Sequence, residues 1–545
     1  MTGFLQHIPI LPIVIPLFTG ALMLLMRDTQ RRFKSAINLV SLLAQIACAV
    51  LLLAMSTGQL ETGWLNNVGV YLLGNWAAPF GIVVVVDRLS AAMLLLTSLL
   101  GFAAWVYATA RWERAGVHFD PLFQFLLMGL NGAFLTGDLF NLFVFFEVLL
   151  AASYGLILHG SGAARVSASL HYIAVNLVAS FLLLISIALI YGVTGTLNMA
   201  DLSGKAALLE GANRSLFEAG AAILGIAFLV KAAAWPLNFW LPAAYGNAAA
   251  PVAGVFAIMT KVGIYSLLRI GSLLGHDGAP AAFGGEWMFP VGIVTLVFGG
   301  IGMLAAQQAE RLTGYAVIMS SGTLLAAFGM PGIVLTGPAL FYMSISILTI
   351  GAMFMLLEMV SRTQSFGSDL LAVSMEAFDL EDPESPDRSD DVVGIAIPAV
   401  MAFLGLAFIA CALLITGLPP LSGFVAKFTM LSAALQAATS PAATTNAWIF
   451  IGAVLISGLA GIIALCRTGI RLFWSVEDTI TPRLRLSEAG PVSLLIFTCI
   501  AMSIWAGPTM RYLEDTADYL GAPSAYINAV LTQGSGKDVA PGALP

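Results

Sequence analysis

Residues 229–269 read LVKAAAWPLNFWLPAAYGNAAAPVAGVFAIMTKVGIYSLLR, and the two lysines in that run set the terms for the whole chain. Pro251 suits the first turn of a helix. Lys261 follows ten residues later, about 15 Å of helical rise, or close to half the hydrocarbon thickness of a bilayer. Its neighbours are Phe256, Ile258, Met259, Val262 and Ile264, and from that depth a lysine stem snorkels poorly to either surface. Lys231 stands shortly before Pro236, which has no amide to donate and disturbs the turn that holds Ala232. Opened backbone at depth is tolerated only where protein or water lines it. The stretch therefore predicts two membrane helices, the first weakened beside a buried charge.

The remainder of the sequence fits that reading. Of 545 residues, 59% are hydrophobic and 10% charged, against about 25% charged in soluble domains. A span needs about 20 mostly apolar residues, and such stretches occur at 8–26, 35–55, 80–108, 121–137, 139–158, 169–192, 217–235, 249–271, 288–306, 312–331, 338–358, 393–416, 447–466 and 490–508. Residues 421–435 form the second half of a broken twelfth helix. The expected fold is an all-α integral membrane protein of about 14 transmembrane helices, organised as N-terminal helices in 1–110, a core in 111–475, and a last helix with a tail in 476–545. The first apolar stretch is longer than a signal h-region and lacks a basic segment before it, so it reads as a retained helix. The net charge of −7 offers no basic surface for nucleic acid. Cys48, Cys411, Cys466 and Cys499 are far apart in sequence and read as small apolar fillers. No metal or cofactor motif is present.

Lysine and arginine set the orientation. With the N-terminus outside, the inside receives 14 basic residues, including the clusters at 27–34, 111–114 and 483–485, and the outside receives Lys205, Arg214, Arg269, Arg511 and Lys537. An even number of spans returns the C-terminus to the outside. Residues 197–216 are expected to lie flat at the surface. Residues 361–391, with eight acids between Glu376 and Asp391, are expected to form a solvated inside loop.

Two more charges interrupt apolar runs. Glu147 lies in LFNLFVFFEVLL, residues 139–150, about 12 Å into its helix. Lys427 follows GLPPLSGF, residues 417–424, where paired prolines break the helix and free carbonyls beside Ser422. A charge at the bilayer centre costs several kcal/mol, and a broken helix with a nearby charge is the sequence pointer to a transporter site. The weakened seventh helix and the broken twelfth lie five helices apart, which fits two inverted five-helix repeats. A buried lysine exchanges a proton near neutral pH if a carboxylate partner moves or changes charge; arginine, which stays protonated, does not. Glu147 with Lys231 is expected to form the pair, with Lys261 the hub and Lys427 the far carrier. Asp138 reads as an N-cap or as a mouth for ions. Asp87 and Arg88 read as an interfacial pair, and His159 and His171 as surface or access groups. Tyr265, Ser320, Ser321 and Thr323 are candidates to line a water path.

At these residues the chain resembles the antiporter-like membrane subunits shared by Mrp cation/proton antiporters and respiratory complex I, nearest the D-type member of the Mrp set. Residues 136–155 (TGDLFNLFVFFEVLLAASYG), 229–269 and 417–428 (GLPPLSGFVAKF) carry the resemblance, which spans roughly 80–475. It implies the two-repeat fold with broken helices seven and twelve, proton transfer by Glu147, Lys231, Lys261 and Lys427, and a place in the cell inner (plasma) membrane within a hetero-oligomer that exchanges Na⁺ or K⁺ for protons. It implies a transporter component rather than an enzyme. The rival readings are a proton-pumping component of a quinone- or hydrogenase-linked complex, a lipid-linked transferase and a non-conducting scaffold. One departure stands out: such proteins usually carry His or Lys in the eleventh helix, where this chain has FYMSISILTI, residues 341–350. Either Ser344, Ser346 and Thr349 hold water on a route from Lys261 to Lys427, with Ser422 at its far end, or that route is interrupted.

Overall fold

The computed structural model describes residues 5–27, 30–60, 63–116, 118–160, 162–275, 285–378, 399–473 and 484–534. Two helices open the chain, α1 (Leu11–Leu25) and α2 (Arg31–Ser56). An antiparallel hairpin follows, β1 (Gly69–Leu72) and β2 (Val83–Val86), with Gly69 opposite Val86. Next come α3 (Arg88–Thr109), α4 (Phe119–Leu135), α5 (Leu139–Ile157) and α6 (Ala163–Thr194), then the short α7 (Met199–Ala207). A first broken crossing is made by α8 (Gly211–Lys231) and α9 (Leu241–Asn247). The bundle continues with α10 (Ala250–Leu274), α11 (Gly285–Ala305), α12 (Ala309–Phe328) and α13 (Thr336–Phe378). A second broken crossing pairs α14 (Ala399–Thr416) with α15 (Ser422–Gln436), and α16 (Pro441–Phe473), α17 (Leu486–Ile504), α18 (Ala506–Gly521) and α19 (Ser524–Gly534) finish the fold.

Each of the 14 expected spans coincides with a helix. Among the described residues, 12 helices are long and apolar enough to cross a membrane. The other two expected spans are α4, apolar but only 17 residues long, and α12, whose Thr313, Ser320, Ser321 and Thr323 make it more polar. Those four side chains are buried, so α12 faces protein and does not need a lipid-compatible surface.

Three expectations change. The third span starts at Arg88 rather than residue 80, because Val83–Val86 pairs as a strand and Asp87 caps the helix, accepting from Ser90 N at 2.9 Å. Residues 361–378 continue α13 instead of entering a loop; the stretch SRTQSFGSDLLAVSMEAF contains no proline, and its single glycine costs a helix only about 1 kcal/mol. Residues 379–391, which hold most of the acidic charge, lie outside the described residues. Asp87 and Arg88 do not pair with each other: Asp87 binds Arg269 at 2.6 Å and Arg88 binds Asp515 at 2.6 Å.

Loops assigned to one side by alternation gather at one end of the bundle. At the hairpin face, Val84 bridges to Thr136, Asp138 bridges to Asn198, and α19 packs on α7 and β1. At the opposite, arginine-rich face, Arg165 Nε donates to Asn247 O (2.7 Å), Arg485 Nη1 to Ala110 O (2.8 Å) and Arg362 Nη1 to Glu488 Oε1 (2.5 Å). His159 belongs here too. It is buried, with Nε2 2.8 Å from Trp112 O, while His171 remains at the surface.

The centre is held by α10 and α13, whose most apolar windows are 94% and 100% buried, against 39% for α1, α2 and α6. Lipid-facing apolar area supplies no drive for helices to associate, so small residues at close crossings matter more. Along α11 and α12, a Cβ on Gly292 would stand 2.2 Å from Ala326 N, and one on Gly322 2.2 Å from Leu296 N. Gly322 adjoins Ser320 and Ser321. Gly322→Val is expected to force α11 and α12 apart at an overpacking cost of ~1–3 kcal/mol, read as a lower thermal midpoint of the solubilised protein; an unchanged midpoint would contradict this contact.

Candidate functional site

The helix α8 ends at Lys231 because the chain turns there through Ala233, which has a positive φ of 54°. Ala234 N closes the turn on Leu229 O at 2.9 Å, a Schellman-type ending that glycine would normally occupy. Pro236 follows with no amide to continue the helix. A Cβ on Gly263 would meet Phe228 O at 2.8 Å and Ala232 N at 2.9 Å. Only glycine lets α10 press this closely on the broken end of α8, and that approach puts the Lys231 and Lys261 segments side by side.

Lys231 is buried. Its Nζ donates to Ser180 Oγ on α6 at 3.4 Å and lies 4.6 Å from the centre of the Phe146 ring. Glu147 and Lys231, expected to act as a pair, make no direct ion pair or hydrogen bond. Glu147 sits on the outward stripe of α5 with Phe140 and Val144, half buried, and its Oε1 is enclosed without a hydrogen-bond partner. Phe146, one residue earlier, turns inward and gives Lys231 a ring face, an attraction worth ~1–2 kcal/mol. Asp138 caps α5 by accepting from Asn141 N at 2.9 Å. Burial raises its carboxyl above the ordinary value, against backbone hydrogen bonds from Asn141 and Phe140 that lower it.

Lys261 is fully buried, and its Nζ donates to Ser321 Oγ on α12 at 3.3 Å. Next to that serine, Ser320 Oγ meets Ser346 Oγ of α13 at 2.5 Å. Beyond them is a cavity of about 10 Å³ lined by Ser320, Tyr342, Ser346, Thr349, Leu414 and Ile415, the room that one water needs. Its far wall belongs to the second broken crossing. There, Lys427 Nζ donates to Thr416 O at 2.7 Å and Ile415 O at 3.2 Å, carbonyls at the end of α14 that have no further helical turn to serve. Gly417, at φ +78°, makes room: a Cβ there would lie 2.5 Å from Lys427 Cδ. Ser422 Oγ ties the start of α15 to Cys499 O at 2.8 Å, and Thr349 Oγ1 lies 3.6 Å from Cys499 Sγ. Ser344 bonds back to Leu340 O at 3.0 Å and does not line the cavity.

The structure thus sets Lys261 on Ser321, Ser320 against Ser346 beside a cavity that Thr349 also lines, and Lys427 on a carbonyl of that cavity's far wall, leaves Glu147 out of these contacts, and puts Asp138 at the hairpin face. Sequence reasoning missed Ser180 and the Phe146 ring. It also missed a buried polar ladder between α2 and α4. In that ladder Asn38 Nδ2 and Trp105 Nε1 each donate to Asp120 Oδ1 at 2.9 Å, and Gln45 Nε2 donates to Gln124 Oε1 at 3.1 Å. Asn131 Nδ2 ends it on Pro12 O at 2.8 Å, the carbonyl that Pro16 leaves free four residues on. The signal was the near-fourfold spacing of Asn38, Ser41 and Gln45 against Asp120 and Gln124. Among the described residues no group of His, Cys, Asp or Glu could hold a metal ion.

The transmembrane family of NADH:quinone oxidoreductases and Mrp antiporters matches residues 136–457, which enclose Glu147, Lys231, Lys261 and Lys427. The chain belongs to that family. It is 53% identical over 538 residues to a protein of Rhizobium meliloti (strain 1021) named as a probable K(+)/H(+) antiporter component of the D type, covering 98% of this chain and 99% of the relative. It is 32% identical to the D-type component of the Na(+)/H(+) antiporter of Alkalihalophilus pseudofirmus, covering 97% and 100%. A chain in the structure of the Mrp complex from Dietzia sp. DQ12-45-1b aligns with a TM-score of 0.79 at 26% identity, covering 97% of this chain and 99% of that one. Like other proteins built on this antiporter-type fold, the chain is a multi-pass membrane protein, and α13 brings Ser346 and Thr349 to the cavity.

Proposed function

We propose that this chain is the proton-translocating component of a multisubunit monovalent cation/proton antiporter in the plasma membrane, with both termini outside. Glu147, Lys231, Lys261 and Lys427 transfer protons within the core at 111–475, Asp138 stands at the outer mouth, and Ser346, Thr349 and Ser422 line or anchor the path between the two halves, with Ser344 one turn away on α13. One observation carries the reading: the ammonium groups of Lys231, Lys261 and Lys427 rest on neutral oxygens, those of Ser180, Ser321, Ile415 and Thr416. A static core pair would instead be closed by a carboxylate, because an uncompensated buried charge is strongly destabilising. Groups held this way trade protons through intervening water, and the polar file from Ser321 to Ile415 provides the link. The hetero-oligomer and the exchanged cation follow from the named relatives, with K⁺ the first cation to try because the 53% relative carries that name.

The test is to purify the intact complex from membranes, identify its components by mass spectrometry and reconstitute it in vesicles. The expected result is a set of membrane proteins free of iron–sulfur and flavin proteins, with a pH change inside the vesicles on adding K⁺ or Na⁺. Co-purifying redox proteins without a cation-driven pH change would instead favour the redox-linked rival, which belongs to the same family.

A further inference from the structure

Above Lys261, the same face of α10 carries Tyr265 and Arg269, at successive intervals of four residues. They climb about 12 Å from the buried ammonium to the hairpin face. Nothing in the proton route described above uses them. Arg269 is only 5% exposed, and its Nη2 lies 2.6 Å from Asp87 Oδ2, the acid that also caps α3. The same Nη2 donates to Tyr265 OH at 3.4 Å, and that hydroxyl donates to Phe134 O of α4 at 2.7 Å. The guanidinium carbon lies 5.6 Å from the centre of the Tyr265 ring and 5.1 Å from that of Tyr526. Tyr526 comes from α19, the last helix of the fold, and is itself buried. The cap of α3, Tyr265 of α10 and Tyr526 of α19 therefore meet one guanidinium directly above the central lysine, and α4 holds the Tyr265 hydroxyl.

Such a group does not pass a proton on, because arginine keeps its own at every physiological pH. Its charge is paired, the pair is buried, and two rings flank it. A fixed arginine at a constriction is a recognised barrier to protons and cations in pores. We propose that Arg269, positioned by Asp87, Tyr265 and Tyr526, is a seal that closes the Lys261 site to the outer face. A proton that reaches Lys261 then leaves sideways, through Ser321 and Ser320 toward Lys427. This inference rests on the lysine route proposed above and adds the reason why that route does not short-circuit. It also gives α19 a task, since the C-terminal helix completes the seal by carrying Tyr526.

The experiment uses the whole complex in vesicles and reads the decay of an imposed pH gradient with no exchangeable cation present. Arg269→Gln and Tyr526→Ala are expected to speed that decay several-fold, and Tyr526→Phe, which keeps the ring, is expected to stay tight. Combining either leaky variant with Lys261→Ala should restore tightness, because the leak passes the central lysine. A purely structural cluster would not show that reversal. Wild-type gradient decay in assembled Arg269→Gln and Tyr526→Ala complexes would overturn the seal, as would a leak that persists without Lys261. If Arg269→Gln does not assemble, the comparison of Tyr526→Ala with Tyr526→Phe decides. Loss of the lysine route has a separate signature: cation-driven flux that survives Lys261→Ala alone.

Discussion

Replacing Lys261 with alanine is expected to reduce cation-driven proton flux to the background of vesicles lacking the complex, while the complex still assembles. Lys261 is fully buried at mid-depth on α10, and its ammonium has Ser321 Oγ, 3.3 Å away, as its hydrogen-bond acceptor. In the proposed scheme every proton crossing from the first repeat to the second passes this group, so no parallel route rescues its loss. Assembly survives because α10 is packed on nearly every side, and truncation removes a charge whose burial is itself unfavourable. Lys261→Arg sharpens the point. It keeps the positive charge but not the ability to release a proton, so it too is expected to be inactive. The measurement is the pH change in everted vesicles on adding K⁺ or Na⁺, with complex levels checked on native gels. Near-normal flux in Lys261→Ala, or activity in Lys261→Arg comparable to the native chain, would remove the hub from the scheme.

The parts of this site that were legible in the sequence are those governed by local chemistry. Long apolar runs announce helices whatever they pack against, so the spans were readable from composition and length. Pro419 and Pro420 cannot sit inside a regular helix, so the break and its freed carbonyls were readable too, and Lys427 bonds to carbonyls of that kind at Ile415 and Thr416. The unread parts depend on partners far away in the chain. Val83–Val86 is as apolar as a helix segment, and only its pairing with Gly69–Leu72 makes it a strand. Asp87 and Arg88 looked like a local pair, yet Arg269 and Asp515 are their partners. Glu147 and Lys231 are both charges in apolar runs, but hydropathy does not say which way a side chain faces. The rotation of α5 puts Phe146, not Glu147, against the ammonium. Ser180 stood in an unremarkable polar position of α6 until α8 was packed on it.

Ser346 of α13 carries the second large effect. Ser346→Leu is expected to cut cation-driven flux about tenfold or more, a change of ~1.4 kcal/mol or greater in the barrier, with the fold retained. Ser346 Oγ touches Ser320 Oγ at 2.5 Å and lines a cavity of only about 10 Å³. A leucine there fills the space one water needs and overpacks the α12–α13 contact by ~1–3 kcal/mol, which a helix as deeply packed as α13 tolerates. Ser346→Ala removes the hydroxyl but leaves room for water, so it should retain clear activity, and the contrast between the two separates blocking from loss of a hydrogen bond. Ile415 forms part of the cavity wall and also accepts from Lys427 Nζ at 3.2 Å, so a plug at Ser346 cuts the file between the two broken crossings. The same flux assay decides the matter. Full flux in an assembled Ser346→Leu complex would mean that protons do not cross α13, and that the first repeat works without Lys427. A deep loss in Ser346→Leu with activity kept in Ser346→Ala would mean that a single water among hydroxyls carries the proton across α13, with no lysine, histidine or carboxylate on that helix at the cavity.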